Sequence, residues 1–307
     1  MKLTILGSSS ALPTSERYPS AHLLNADERF FLIDCGEGTQ MQLRKCHIRF
    51  AKINHIFISH LHGDHIFGIY GLLSTFSLMG RKTPLHLYAP ENYDQILKSH
   101  LQDFDIHLDY KIIFCPLKGN DPVQILNDKY LTVTSLPLKH RIQSYGFIFR
   151  EKQALRKIVK ESISKYRIPI SMMSSIKNGE DFITEKGIIV KNEDITTPPP
   201  EPLSYAYCSD TKYFARLSSM VKDVSVLYHE ATFDKENKKL ATLTGHSTTI
   251  DAANVASKAG AGALIIGHFS ARYKNITALV QEAQEVFPAT YPAIDGKTYD
   301  LGTLLSF

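Results

Sequence analysis

The chain has 307 residues, 43% of them hydrophobic and 21% charged, a composition that suits a globular protein with a large core. Lysine and arginine number 35 against 31 acidic residues, so the net charge of +4 does not indicate a nucleic-acid binder and any basic surface must be local. No apolar run approaches the ~18 residues of a membrane span, and the four scattered cysteines form no CxxC pair. These observations exclude a membrane protein, a disulfide-rich mini-protein and a disordered chain, and they predict a cytoplasmic protein with reduced thiols and no membrane partner.

Short β-rich runs alternate with helical patterns along most of the sequence. The predicted strands are Lys2–Leu6, His22–Leu24, Phe30–Ile33, His55–Ser59, Leu85–Tyr88, Lys111–Phe114, Leu131–Leu136, Tyr145–Phe149, Ser204–Tyr207, Val224–Tyr228 and Ala263–Ile266. The predicted helices are Gly38–Lys45, Asp64–Ser77, Asn92–Asp103, Tyr213–Val221, Thr249–Ala259 and Ile276–Val286. Such alternation is typical of a layered α/β protein.

One segment, from about Glu151 to Pro202, interrupts the alternation. Between Lys152 and Arg167 it carries six basic residues and one acidic residue, and its apolar residues at helical spacing predict an amphipathic helix with a basic face. The proline-rich end of the segment predicts stiff, extended chain. Two interpretations stay open: a surface insertion with a solvated face, or an arm that grips a polyanion.

The strongest chemical signal is the segment Ser59–His65, with the sequence SerHisLeuHisGlyAspHis, which directly follows a predicted strand. His60 and His62 are two residues apart in extended chain, so both side chains project to one side. Asp64 and His65 open the following helix, which turns them back toward the same point. Burying these residues together without a charge partner would be costly. The pattern therefore predicts a metal site.

Three further candidate ligands, His140, Asp210 and His268, each follow a predicted strand. In layered α/β folds, functional groups gather beyond the carboxyl ends of strands. Together with the cluster they give five histidines and two aspartates, a mixed nitrogen and oxygen set that suits zinc or manganese better than magnesium. One carboxylate can bridge two ions, and we expect this of Asp210 because it stands alone on its loop.

This pattern of histidines and aspartates resembles the metallo-β-lactamase superfamily, and finer motifs resemble the ribonuclease Z family of tRNA 3′-processing endoribonucleases. The finer motifs are AspCysGlyGluGlyThrGln (34–40), HisGluAlaThr (229–232), HisSerThr (246–248) and GlyHisPheSerAlaArgTyr (267–273). The resemblance covers nearly the whole chain. It implies an α/β fold, a four-layer αββα metallo-β-lactamase sandwich formed by one domain (residues 1–307) with a protruding substrate-binding arm inserted at residues 151–195.

The resemblance also implies two zinc ions per subunit, with manganese as the alternative metal. One ion would be held by His60, His62 and His140, the other by Asp64, His65 and His268, with Asp210 bridging. Asp64 would accept a proton from the attacking water. His246 would touch the scissile phosphate or protonate the leaving oxygen, supported by Glu230. The alternative interpretation of HisGluAlaThr and HisSerThr is local capping of loops and helices.

Two ions ~3.5–4 Å apart activate a shared water and neutralise a phosphodiester oxygen. The implied reaction removes the 3′ trailer from precursor tRNA and leaves a 3′-hydroxyl on the tRNA and a 5′-phosphate on the trailer. Ser270 or Arg272 could hold a phosphate. The arm residues expected to bind RNA are Lys152, Arg156, Lys157 and Lys160. The family further implies a homodimer in which the arm of one subunit serves the active site of the other.

Two other functions stay open at this stage. One is a small phosphodiester or thioester hydrolase of the same superfamily, which would leave the basic arm without a role. The other is a non-catalytic, zinc-containing RNA-binding protein. A structural zinc site is closed and usually has four ligands, so seven candidate ligands favour an open, catalytic site.

Overall fold

The computed structural model describes residues 1–305, and the chain divides into two compact units. The larger unit comprises residues 1–127, residues 132–149 and the chain from Leu203 onward. The smaller unit comprises residues 128–131 and 150–202 and so contains the predicted arm, residues 151–195. Within the described residues, no helix is long and apolar enough to cross a membrane.

Within residues 1–305, the first sheet of the larger unit has seven strands. In spatial order they are Thr298–Asp300, Lys2–Gly7, Ala21–Ala26, Arg29–Ile33, Ile53–Phe57, Leu85–Pro90 and Ile112–Leu117. The last four pair in parallel. Their mostly apolar sequences are typical of parallel strands that are covered on both faces.

The second sheet of the larger unit also has seven strands in the described part of the chain. In spatial order they are Thr290–Pro292, Ala263–Gly267, Val226–Glu230, Ser204–Cys208, Gln143–Glu151, Leu131–Lys139 and Val123–Asn127. The first four pair in parallel, so their carboxyl ends lie at one edge of the sheet. Asp210 and His268 follow two of these strands at that edge, and Glu230 is the last residue of a third.

Helices pack on both sheets through two apolar cores. The helices that share a core with the first sheet are Thr39–Lys45, Ile69–Leu78 and Tyr93–Asp103. Those that share a core with the second sheet are Arg216–Met220, Thr249–Ala259 and Thr277–Gln284. The short helix Gly63–Ile66 contributes Ile66 to the first of these cores, and the larger unit also has the helix Lys238–Thr244.

An aromatic layer joins the two sheets. The ring of Phe149, from the second sheet, lies 5.7 Å from Phe31 and 5.3 Å from Phe57 of the first sheet. Farther along, His22 packs edge-on against Tyr228 at 4.3 Å. Helices, sheet, sheet and helices thus form four layers, and the predicted αββα fold is confirmed. The sequence patterns did not predict the edge strands Val123–Asn127, Thr290–Pro292 and Thr298–Asp300 or the helix Lys238–Thr244.

The smaller unit has its own apolar core and short elements. Its helices are Lys160–Tyr166, Met173–Lys177 and Asn192–Ile195, and its paired strands are Lys157–Ile158 with Thr196–Thr197 and Phe182–Ile183 with Ile189–Val190. The core residues are Ile168, Ile176, Phe182, Val190 and Ile195. The prediction of one amphipathic helix over Lys152–Arg167 is therefore wrong in its first half, since strand pairing takes up Lys157–Ile158 and the helix begins only at Lys160.

Candidate metal centre and active site

The segment Ser59–His65 forms one side of the site, directly after the strand Ile53–Phe57. Extended backbone continues to His62, and the helix Gly63–Ile66 then places Asp64 and His65 in its first turn. The structure brings these four side chains together with those that follow strands of the second sheet. The structure forms three groups of side chains, and within each group the ligand atoms lie within 4.8 Å of one another. The first group is His60, His62, His140 and Asp210, the second is Asp64, His65 and His268, and the third is Asp210, His246 and His268.

Three histidines form the first group. Nδ1 of His62 lies 3.1 Å from Nε2 of His60 and 3.2 Å from Nε2 of His140. The Nδ1–H of His140 donates to the carbonyl of Gly245 at 2.8 Å, so its Nε2 presents a lone pair to the group. Burial, together with His60 and His140, lowers the pKa of His62 to about 4. His62 is therefore neutral near pH 7 and able to bind a metal.

His65, His268 and Asp64 form the second group. The Nδ1–H of His65 donates to Asp34 at 2.8 Å, and the Nδ1–H of His268 donates to the hydroxyl of Thr232 at 2.8 Å. Their Nε2 atoms face each other at 3.3 Å, and Asp64 Oδ2 lies 3.4 to 3.5 Å from both. Two imidazole lone pairs at this distance repel each other unless a proton or a metal ion lies between them.

Asp210 lies between the two groups, and its two oxygens face different histidines. Oδ1 lies 3.3 Å from Nε2 of His65 and 3.2 Å from Nε2 of His268. Oδ2 lies 3.5 Å from Nε2 of His60 and 3.7 Å from Nε2 of His140. Oδ1 is buried and accepts no hydrogen bond from the described residues. A buried, unsatisfied carboxylate oxygen among histidine lone pairs fits a divalent cation well.

Asp34, the first residue of the AspCysGlyGluGlyThrGln motif, supports the candidate ligand His65 through contacts that the motif alone does not predict. Its carboxylate is fully buried and accepts hydrogen bonds from the Ser59 N–H and hydroxyl, at 2.7 and 2.8 Å, and from the Tyr207 hydroxyl at 2.7 Å. Burial opposes ionisation, but His65 and these hydrogen bonds hold the pKa of Asp34 below its usual range. An ionised Asp34 fixes the ring of His65 so that Nε2 faces the site.

His246, which is partly exposed to the cavity, pairs with the fully buried Glu230 beside the cluster. His246 Nδ1 lies 3.0 Å from Glu230 Oε1, and Glu230 also accepts from the N–H groups of Thr211, Thr232 and Ser247. Burial alone would lower the pKa of His246, but Glu230 and Asp210 outweigh it and raise this pKa to about 9. His246 is therefore protonated near pH 7.

The capping interpretation of HisSerThr is correct for Thr248, which begins the helix Thr249–Ala259. The Thr248 hydroxyl accepts from the Asp251 N–H, and the Asp251 carboxylate accepts from the Thr248 N–H. This cap does not involve His246, whose Nδ1 contacts Glu230 instead. Capping and the His246–Glu230 pair therefore coexist in one short motif.

Thr232 links this pair to the second histidine group. Its hydroxyl donates to Glu230 Oε2 at 2.8 Å and accepts from His268 Nδ1. One carboxylate thus orients His246 directly and His268 through a hydroxyl. Thr232 belongs to the HisGluAlaThr motif, but the motif alone does not predict these contacts.

A cavity of about 500 Å³ opens over the cluster. Its lining residues are Ser10, Ala11, Pro13, Pro19, Glu37, His62, Gly63, Asp64, Phe67, His140, Arg141, Asp210, Thr244, His246 and His268. Arg141 brings a cation that sequence analysis missed, although it directly follows His140. Ser270 and Arg272 are not among the lining residues. Arg272 Nε donates to the Ser270 hydroxyl at 3.3 Å, and the guanidinium lies over Phe233.

The predicted RNA-binding residues of the arm lie in the smaller unit. Lys152, Lys157 and Lys160 are exposed. Arg156 is half-buried, and its Nε donates to the Thr196 hydroxyl at 2.7 Å. The guanidinium of Arg156 thus also stabilises the arm itself.

The four-layer sandwich with a histidine and aspartate cluster beyond its strand ends defines a metallo-β-lactamase fold protein. The metallo-β-lactamase fold protein YhfI from Bacillus subtilis has the same fold, with a TM-score of 0.68 at 20% identity over 97% of this chain and 98% of that chain. Residues 1–157 match the family model described as "Anti-Pycsar protein Apyc1". That match includes His60 to His140 but ends before Asp210.

Relatives that match nearly the full length are more specific. Ribonuclease Z of Bacteroides thetaiotaomicron is 43% identical over 94% of this chain and 92% of its own length. The short form of human tRNase Z superposes with a TM-score of 0.71 at 26% identity, over 98% of this chain and 99% of that chain. The chain belongs to the ribonuclease Z family.

Proposed function

We propose that the chain is a metal-dependent endoribonuclease that cuts the 3′ trailer from precursor tRNA, leaving a 3′-hydroxyl on the tRNA and a 5′-phosphate on the trailer. The observation that carries the proposal is the placement of Asp210 between two histidine groups, with His246 beside it, in a chain of this family. Metal ligands and a proton donor around one cavity are what hydrolysis of a phosphodiester needs.

The same geometry supports two Zn²⁺ per subunit, and Mn²⁺ fits the same donor set. His60, His62 and His140 would hold one ion and Asp64, His65 and His268 the other, with one oxygen of Asp210 toward each. Ions bound there would supply Lewis-acid activation of water and neutralise charge on the phosphate.

The chain's own groups orient the substrate and move protons. The Ala11 N–H donates to Asp64 Oδ2 at 2.8 Å and so fixes the carboxylate that accepts a proton from the attacking water. His246 has its Nδ1 engaged by Glu230 and lines the cavity, so its Nε2–H is left for the leaving 3′ oxygen. Its pKa of about 9 keeps that proton present near neutral pH.

Binding of tRNA would extend beyond the cavity. Lys152, Lys157 and Lys160 are exposed cations that can pair with backbone phosphates, with Arg156 partly committed within the arm. Ser270 and Arg272 lie outside the cavity lining and would hold a phosphate of the flanking RNA, with the guanidinium of Arg272 supported by the ring of Phe233. We also propose a cytoplasmic homodimer in which the arm of one subunit serves the other, as the family resemblance implies.

A second candidate is hydrolysis of a small phosphodiester or thioester by the same cluster. The cavity of about 500 Å³ is large enough for a mononucleotide-sized substrate, which is the observation that favours it. A non-catalytic RNA-binding role is disfavoured, because a structural zinc site is closed whereas these residues line an open cavity.

The deciding experiment compares cleavage of a precursor tRNA and of bis(p-nitrophenyl) phosphate by the purified protein. Asp64→Ala and a deletion of Lys152–Asp194 are tested beside Asp103→Ala, whose side chain is exposed at the end of the helix Tyr93–Asp103 and serves as the control. We expect cleavage at the 3′ end of the tRNA, no turnover by Asp64→Ala, and loss of tRNA cleavage but not of ester hydrolysis in the deletion. Turnover of the ester with tRNA left intact by the wild type would instead support the small-substrate hydrolase.

A further inference from the structure

The aromatic side chain of Phe67 is exposed beside the cluster of candidate ligands. It is 65% exposed, whereas its neighbours Ile66 and Ile69 are 3% and 0% exposed. Its N–H donates to the carbonyl of Gly63 at 2.9 Å, and the N–H of Gly68 donates to the carbonyl of Cys35 at 2.9 Å. The backbone on both sides of Phe67 is therefore fixed while its ring projects away from the core.

The ring itself rests on the loop that carries the candidate ligands. A Cβ added to Gly63 would lie 2.3 Å from Cε2 of Phe67, so only glycine at this position lets the ring lie against the backbone between His62 and Asp64. The ring therefore packs against the backbone of Gly63. A supported ring loses little conformational freedom when a partner stacks on it.

Phe67 lines the same cavity as Asp64 and His246. Among the described residues that line the cavity, it carries the only phenyl or phenol ring. The imidazoles that line the cavity belong to the candidate metal groups, and the guanidinium of Arg141 can pair with a phosphate, so the ring of Phe67 is the aromatic surface of this lining that lies outside the cluster. Base–aromatic stacking tolerates any base, because every base has a π-face.

From this placement we propose that Phe67 stacks on the base of one of the two nucleotides that flank the scissile phosphate and so positions that phosphate over the cluster. The inference rests on the proposed function, since it requires an RNA substrate. Phe67 is thus a substrate-positioning residue for which sequence spacing alone gives no signal.

The test measures single-turnover kcat/KM for the wild type, Phe67→Ala, Phe67→Trp and Phe104→Ala. Phe104 is the matched control, because it is 68% exposed and lies outside the cavity. Each protein cleaves an intact precursor tRNA and two versions with an abasic site, one on each side of the scissile phosphate. We expect Phe67→Ala to lose about tenfold on intact RNA, in the range measured for base stacking. Phe67→Trp should restore the rate, and Phe104→Ala should match the wild type.

The abasic substrates decide between stacking and a structural role. If Phe67 stacks on a base, the wild type and Phe67→Ala should have the same kcat/KM on the substrate that lacks that base, which is one of the two abasic substrates. A difference that persists on both abasic substrates would overturn the inference, as would loss of bound metal from Phe67→Ala in elemental analysis. Failure of the wild type to cut precursor tRNA would overturn the proposed function together with this inference. If the loss of kcat/KM from Phe67→Ala and the loss from base removal simply add at both positions, this inference alone is overturned.

Discussion

The candidate metal centre and the smaller unit hold their charged side chains in different ways. Asp34, Asp210 and Glu230 are at most 2% exposed, and each is surrounded by donors or histidines. In the smaller unit, charges such as the pair of Asp181 and Lys191 lie on the surface, at 36% and 63% exposure. A buried charge that loses its partner is costly, whereas an exposed pair contributes little. One substitution should therefore disable the metal centre, while the smaller unit should lose function only gradually.

The largest effect is expected from Asp210→Ala. The substitution removes the carboxylate that faces both histidine groups and leaves imidazoles next to one another. Removal of a residue that only hydrogen-bonds to a metal ligand typically lowers metal affinity or activity 10- to 100-fold. Because Asp210 is itself a candidate ligand, cleavage of precursor tRNA should fall by more than about 100-fold in Asp210→Ala. Elemental analysis should show less bound metal than in the wild type. Retention of full metal content and activity would contradict the bridging position of Asp210.

A smaller but distinct loss is expected from Thr232→Val, which keeps the side-chain shape and removes one hydroxyl. That hydroxyl joins Glu230 to His268, so its loss frees the His268 ring. We expect metal affinity, measured by competition with a chelator, or activity to fall about 10- to 100-fold. Thr242→Val is the control, because the Thr242 hydroxyl is exposed and donates to the carbonyl of Lys238, away from the cluster. Equal metal affinity in both variants would show that the Thr232 bond does not matter.

The two supporting contacts of the site show where sequence analysis reached its limit. The seven candidate ligands could be predicted because each stands in a short motif or directly after a strand. The bonds from His65 to Asp34 and from His268 to Thr232 join residues 31 and 36 positions apart, so no local spacing records them. In the smaller unit, helical spacing predicted a helix where Lys157–Ile158 pairs with Thr196–Thr197. Long-range pairing there overrides local periodicity.

Stability in acid should distinguish a buried histidine from an exposed histidine of the larger unit. His22 is fully buried, its Nδ1 lies 3.0 Å from the Tyr205 hydroxyl, and burial lowers its pKa to about 3. The folded protein keeps His22 neutral, whereas the unfolded chain takes up a proton below about pH 6.5. The contribution of His22 is thus complete above pH 6.5 and is lost as the pH falls toward 3, by up to about 1.4 kcal/mol per pH unit.

His22→Gln can still bond to Tyr205 but does not titrate. Between pH 6 and pH 4, the free energy of unfolding of His22→Gln should therefore fall less steeply than that of the wild type. The two slopes should differ by up to about 1.4 kcal/mol per pH unit. Denaturant titrations at several pH values measure both slopes. His107→Gln is the control, since the side chain of His107 is 88% exposed. Identical slopes for the wild type and His22→Gln would show that His22 does not control acid stability.

The smallest effect is expected from a single cation of the smaller unit. Lys160 is exposed at the start of the helix Lys160–Tyr166, so its removal should leave the stability nearly unchanged. If Lys160 pairs with one phosphate, Lys160→Ala should lower the slope of log affinity against log salt by about 0.7 to 0.9 and weaken tRNA binding about fivefold in 0.1 M salt. Lys82→Ala serves as the control, because Lys82 is 72% exposed in the larger unit. A salt slope that does not change would remove Lys160 from the RNA-binding surface. A loss of tRNA cleavage as large as that of Asp210→Ala would refute the contrast between one decisive centre and an arm that acts through many weak contacts.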